Sequence, residues 1–147
     1  MKKYLLLLLF VPLFSFVAVA QTTFGVGAAW QENVDFGVEA RAKLPLGETF
    51  DIIPSFNYWF TDGTVISLDA VLAYDVATVS NLPIYALGGL DWTRASLGGF
   101  SNSELGINLG AGTIVGGNIY IEPRWTKFLC DGCGSSLSIH GGYYFGK

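Results

Sequence analysis

From Thr23 to Phe145 the chain alternates apolar and polar residues with a period of two, the spacing of a strand that buries one face. Eight segments share the pattern: Thr23–Trp30, Asp35–Leu44, Phe50–Phe60, Ile66–Val76, Leu82–Trp92, Glu104–Ala111, Ile119–Thr126 and Leu137–Phe145. The breaks between them carry turn chemistry, as in Gln31-Glu32-Asn33, Pro45-Leu46-Gly47, Thr61-Asp62-Gly63, Ser80-Asn81, Gly98-Gly99, Gly116-Gly117-Asn118 and Asp131-Gly132. None is long enough for a helical crossover, so consecutive strands are expected to pair antiparallel.

Splitting each segment by parity separates the chemistry. One parity runs Phe24–Trp30, Phe36–Leu44, Phe50–Phe60, Ile66–Val76, Leu82–Trp92, Leu105–Ala111, Ile119–Trp125 and Leu137–Phe145, taken by twos. Those 40 positions hold no charge. The opposite parity carries Glu39, Arg41, Lys43, Asp51, Asn57, Asp69, Asp75, Asp91, Glu104, Asn108, Glu122, Arg124 and His140, together with many glycines.

An eight-stranded alternating meander has two closed solutions. A soluble lipocalin-like carrier turns its apolar face inward around a ligand. A membrane barrel turns it outward to lipid and keeps a polar lumen. Aromatic height discriminates between them. With the N-terminus on the inner side, the outward ends of the apolar face hold Trp30, Phe36, Tyr58, Phe60, Trp92 and Trp125. The inner ends hold Phe24, Phe50, Tyr74, Tyr143 and Phe145, and mainly aliphatic residues lie between. Two aromatic girdles around an aliphatic band match a bilayer's two interfaces. The predicted fold class is therefore all-β: a closed, eight-stranded, antiparallel, up-and-down transmembrane β-barrel. Pro54 and Pro123 each remove a ladder donor inside a strand, which calls for a bulge or a local water.

Composition changes the picture at the N-terminus. Met1-Lys2-Lys3-Tyr4 is basic, Leu5–Val17 is almost wholly apolar, and Ala18-Val19-Ala20 ends in small residues, the pattern of a cleaved secretory signal peptide over 1–20. The barrel then occupies 21–147. Without Lys2 and Lys3, six basic residues face twelve acidic ones, a net charge of −6 with no basic run, which argues against nucleic-acid binding. All 19 glycines fall in the barrel segment.

Several stretches resemble the small eight-stranded outer-membrane barrels of Gram-negative bacteria, the opacity-type and OmpA/OmpX-like group. They are Ile52-Ile53-Pro54-Ser55-Phe56-Asn57-Tyr58-Trp59-Phe60, Gly106-Ile107-Asn108-Leu109-Gly110-Ala111-Gly112 and Ile121-Glu122-Pro123-Arg124-Trp125. The closing segment Ile139–Phe145 looks like that family's aromatic C-terminal insertion signal, here followed by Gly146 and Lys147. The resemblance implies a place in the outer membrane, lipid as surroundings and the barrel-assembly machinery as a partner during insertion. It brings no catalytic residues and no cofactor.

The lumen parity holds the candidate chemistry. Glu39, Asp51, Asp69, Asp91, Glu104 and Glu122 face inward with Arg41, Lys43, Arg124 and His140, and charges in a confined interior must pair or stay hydrated. An ion-paired plug is the expectation, because eight strands leave room for little beyond side chains. A narrow cation-preferring channel is the alternative. Ser138 and His140 raise a lipid-modifying enzyme as another, since some barrels of this size act on lipid A, but both are expected to point into the lumen, away from lipid.

Cys130-Asp131-Gly132-Cys133 has the spacing of half a zinc site, with no second pair, so a loop disulfide and no metal is expected in an exported chain. Glycine pairs such as Gly25/Gly27 and Gly110/Gly112 are expected to make room for neighbouring side chains. The outward loops lie near 31–34, 61–65, 93–103 and 127–136, and the third is expected to be the most extended. Its Leu97 and Phe100 are candidates for contact with a surface partner. The functional expectation is a non-enzymatic role in structure, surface display or adhesion.

Overall fold

The structure, a computed structural model, describes residues 22–146; the expected signal peptide over 1–20 lies outside them. The strands are β1 (Thr23–Gln31), β2 (Asp35–Leu46), β3 (Phe50–Phe60), β4 (Thr64–Val79), β5 (Leu82–Leu97), β6 (Phe100–Val115), β7 (Ile119–Phe128) and β8 (Ser135–Phe145). Each pairs antiparallel with the next, and β8 returns to β1 through Phe24↔Phe145 to Gln31↔Ser138, closing the barrel. Closure leaves no sheet edge, so the strand backbones find their partners within the wall. The end that carries the chain termini is the inner end below, and the opposite one the outward end.

The charge-free parity faces out. Phe24, Val26, Phe36, Leu68, Leu72, Leu90, Leu105, Leu109, Leu137 and Ile139 are all exposed, which is the reverse of a lipocalin-like carrier. In β3 the exposed side runs from Phe50 to Phe60. Ten steps of ~3.3 Å give about 33 Å along the strand, or about 25 Å along the axis at a tilt near 40°. That is the height of an outer-membrane apolar band. The aromatics of both expected girdles lie on this face, with Trp92 half-covered between Leu68 and Leu105.

Two details differ from the expectation, and a third narrows one it left open. The segment 93–103 is not an extended loop. β5 and β6 continue in register to Leu97↔Phe100 and join through Gly98-Gly99, whose φ angles of 57° and 89° suit a two-residue hairpin turn. Polar residues on both parities had hidden this extension, because above the membrane both faces of a hairpin meet water.

β4 likewise runs on to Val79 and turns through Ser80-Asn81. The ladder shifts between Asp75 and Ala77, so Val76 sits at a bulge and the simple parity ends there.

The prolines, finally, need no bulge. Arg41↔Ser55 and Leu44↔Ile52 flank two missing pairs opposite Pro54, and Gly110↔Arg124 and Thr113↔Ile121 flank two opposite Pro123. Register is the same on both sides of each gap. Each proline therefore interrupts the ladder locally toward one neighbour, and its strand stays paired with the other through Pro54↔Ala70 and Pro123↔Ile139.

Candidate functional site

The lumen parity delivers its charges to one buried cluster. Arg41 on β2 donates from Nη1 and Nη2 to the two Glu122 oxygens at 2.8 and 2.9 Å, and from Nη2 and Nε to Glu39 Oε1 at 2.7 and 3.1 Å. Its Cζ lies 3.7 Å from the centre of the Tyr120 ring, so the guanidinium also has a π face beneath it. Arg124 donates from Nη2 to Glu122, and its Nη1 stands 3.6 Å from Asp69 Oδ2. Tyr85 donates to Glu122 Oε1 at 2.8 Å and Tyr120 to Glu39 Oε2 at 3.1 Å. The pattern is that of a charge-matched ionic core: each arginine faces carboxylates and both phenols reach an acceptor, while Arg124 Nε and Nη1 make no hydrogen bond.

Toward the outward end a polar layer continues it. Asp69 accepts from Asn57 Nδ2 at 2.8 Å, Asn108 Nδ2 at 3.0 Å and Ser55 Oγ at 3.2 Å. Asp91 faces Asp69 across the β4–β5 ladder and accepts from Thr93 Oγ1 at 2.9 Å.

His140 bridges Glu39 and Ser138, with Nδ1 at 3.3 Å from Glu39 Oε2 and Nε2 at 3.1 Å from Ser138 Oγ. This order of serine, histidine and acid is that of a hydrolytic triad. All three side chains are buried in the lumen wall, however, and Glu39 is already engaged by Arg41 and Tyr120. A serine there cannot meet a lipid on the outside of the barrel.

Not every expected lumen charge joins the cluster. Lys43 and Asp51 pair with each other at 2.9 Å near the inner end, at 27% and 15% side-chain exposure. They line a cavity of about 900 Å3 that opens at that end, bounded also by Pro45, Leu82, Tyr85 and Tyr144. Glu104 is a correction: it is no part of the buried network. β6 carries it above that level, opposite Thr93, where Asn102 Nδ2 donates to its Oε1 at 2.8 Å. Cys130 and Cys133 form the expected disulfide, with their Cα atoms 5.3 Å apart.

The alternation alone missed the apolar and aromatic share of the lumen. Ile53, Val71, Ala73, Tyr85 and Leu87 pack together inside, and Trp59, Tyr120 and Tyr144 are buried as well. Each inward ring faces a glycine on the neighbouring strand: Gly37↔Trp59, Tyr85↔Gly112, Tyr120↔Gly142 and Gly25↔Tyr144. The glycines are spacers. A Cβ on Gly27 or Gly142 would run into the Tyr120 hydroxyl, and one on Gly112 into the Tyr85 ring. Lumen-parity tyrosines with lumen-parity glycines were the available signal, but their pairing depends on register.

With side chains of Arg41, Glu39 and Glu122 wholly inaccessible to water, the middle of the lumen is filled. The arrangement can hold the barrel's cross-section in one shape.

No protein-family model matches the chain, and no curated protein sequence matches it significantly. Solved structures do. Neisserial surface protein A superposes with a TM-score of 0.57 at 18% identity, over 84% of this chain and 95% of that one. The N-terminal β-barrel domain of Pseudomonas aeruginosa OprF gives 0.58 at 17% identity, over 86% and 99%. The outer membrane enzyme PagL gives 0.52 at 14% identity, over 86% and 99%. The fold is that of the small eight-stranded, OmpA/OmpX-like outer-membrane barrels. At such identities the likeness extends to the fold alone.

Proposed function

We propose that this chain is an exported outer-membrane protein with a non-enzymatic role, a lipid-embedded scaffold that displays its outward hairpins for contact at the cell surface. The observation that carries this is the exposed apolar belt, free of charge over the membrane-height part of every strand and flanked by aromatics at both levels. Water would penalise such a surface heavily, at ~25 cal/mol per Å2 of apolar area, whereas hydrocarbon welcomes it.

The filled middle of the lumen turns this reading to the outside of the barrel. The β5–β6 hairpin rises beyond the Trp92 level and ends in Leu97 and Phe100, 64% and 85% exposed. An apolar tip on a polar stalk suits contact with a surface partner. Lipid is the surrounding partner, and the barrel-assembly machinery the one met during insertion.

Electrophoresis of membrane fractions, unheated against boiled, tests the proposal. A folded barrel retained in the outer-membrane fraction should migrate faster unheated than boiled. A soluble chain with one heat-independent mobility overturns it.

A further inference from the structure

The outward rim brings together three groups able to hold a metal. The ligand atoms of Glu104, Cys130 and Cys133 all lie within 4.8 Å of one another. Glu104 comes from β6 and both cysteines from the β7–β8 loop, and backbone geometry explains the meeting. Beyond Phe128 the chain still leans on β6, with Leu129 N–H donating to Leu105 O at 2.8 Å, which sets Cys130 beside Glu104. The chain then folds back: Cys133 N–H donates to Cys130 O at 3.1 Å, and Gly132 takes a φ of 79° that the third place of a type II turn requires. Both sulfurs thus fall on one side, next to a carboxylate already held through Oε1 by Asn102.

We propose that reduction of the Cys130–Cys133 disulfide turns this rim into a binding site for a zinc-like divalent cation, with two thiolates and the Glu104 carboxylate as ligands and water in the fourth position. Tetrahedral zinc with bonds of ~2.0–2.3 Å keeps its ligand atoms roughly 3.3–3.8 Å apart, so on reduction the two sulfurs, now bonded to each other, must swing apart while the Glu104 carboxylate already lies within reach. Sulfur donors select zinc over magnesium or calcium.

The disulfide form holds no thiolate and binds no metal. In the switch, two molecules of a small thiol are oxidised to their own disulfide while the Cys130–Cys133 bond breaks and each sulfur gains a proton. Metal capture then releases both protons to solvent. Two thiolates and a carboxylate around a divalent ion leave one net negative charge. Lys127 stands close enough to offset it, its Nζ donating to Cys133 O at 3.2 Å, while Asp131 in the turn adds a further negative charge. The site needs only the folded barrel, so it is independent of the surface role proposed above.

The chain has two cysteines and one histidine, and His140 is buried in the lumen, so a cobalt probe reports on this site without interference. The barrel, carrying no histidine tag, is folded in detergent and titrated with Co2+ in reduced and oxidised form. Its heat-dependent mobility confirms folding for each variant. The reduced protein should bind one equivalent, with a thiolate-to-cobalt charge-transfer band that Zn2+ abolishes, and the oxidised protein should show none. Cys133→Ser should lose the band. Glu104→Gln should weaken binding about tenfold or more, the scale of a disrupted ligand shell. A reduced protein without the band, or a Glu104→Gln variant that binds as tightly as the parent, overturns the proposal.

Discussion

Glu122 is the keystone of the buried network, and Glu122→Gln tests how much the plug contributes to stability. The carboxylate is fully buried and accepts from Arg41 Nη1 and Nη2, from Tyr85 Oη and from Arg124 Nη2. Glutamine keeps the size but turns one acceptor into an NH2 donor aimed at guanidinium N–H groups. It also leaves Arg41 and Arg124 with one counter-charge fewer. Removing one partner of a buried ion pair costs about 3–5 kcal/mol, because the remaining charge stays desolvated. The loss expected here lies in that range.

Lys43→Gln is the control, since it breaks a partly exposed pair with Asp51 where the contribution is about 0–1 kcal/mol. Equilibrium unfolding by guanidinium in lipid vesicles, read by tryptophan fluorescence and by the heat-dependent band, measures both. Replacing the partners together, as Arg41→Met with Glu122→Leu, removes one charge of each sign and should recover only part of the loss, since Glu39 keeps His140 and Arg124 keeps Asp69 but each loses its closer partner. A Glu122→Gln barrel within about 1 kcal/mol of the parent would refute the assignment of this network as the structural core.

Gly27→Ala places a methyl against the Tyr120 hydroxyl and Gly141 O, and overpacking of this kind should cost about 1–3 kcal/mol in the same assay. Gly134→Ala, with open space around it, should leave stability unchanged. In planar bilayers the barrel should show no sustained ion current, because its central side chains exclude water; a steady current reduced by Asp69→Asn would argue for a conducting lumen instead. His140→Ala should leave the lipid A profile of expressing cells unaltered, and a change in that profile would revive an enzymatic reading of Ser138, His140 and Glu39.

The fold was legible to an unusual degree because the bilayer acts on one face only. From Phe24 to Phe145 each strand must deny charge to alternate positions, and that denial is written residue by residue. Legibility ended where the membrane ends. Ala95 to Ser103 looked like a loop because no apolar alternation is needed above the headgroups, although the backbone continues as a regular hairpin. The Val76 bulge was invisible for a related reason, since an extra residue in one strand is seen only against its partner.

The site divides in the same way. Parity alone placed Glu39, Arg41, Asp69, Asp91, Glu122, Arg124 and His140 inside, and all seven are buried there. It also placed Glu104 among them, and height along the axis removed it, because parity carries no coordinate in that direction. Which acid meets which arginine depends on strand register and on the glycines that let Tyr85, Tyr120 and Tyr144 lean across the lumen. By itself, then, the sequence determined strand number, the lipid-facing side and the polarity of the interior, all properties of single positions in a periodic chain. Tertiary structure decided the ion pairs, the filled lumen and the meeting of Glu104 with two cysteines. These are relations between strands, set by closure and shear, that no one strand contains.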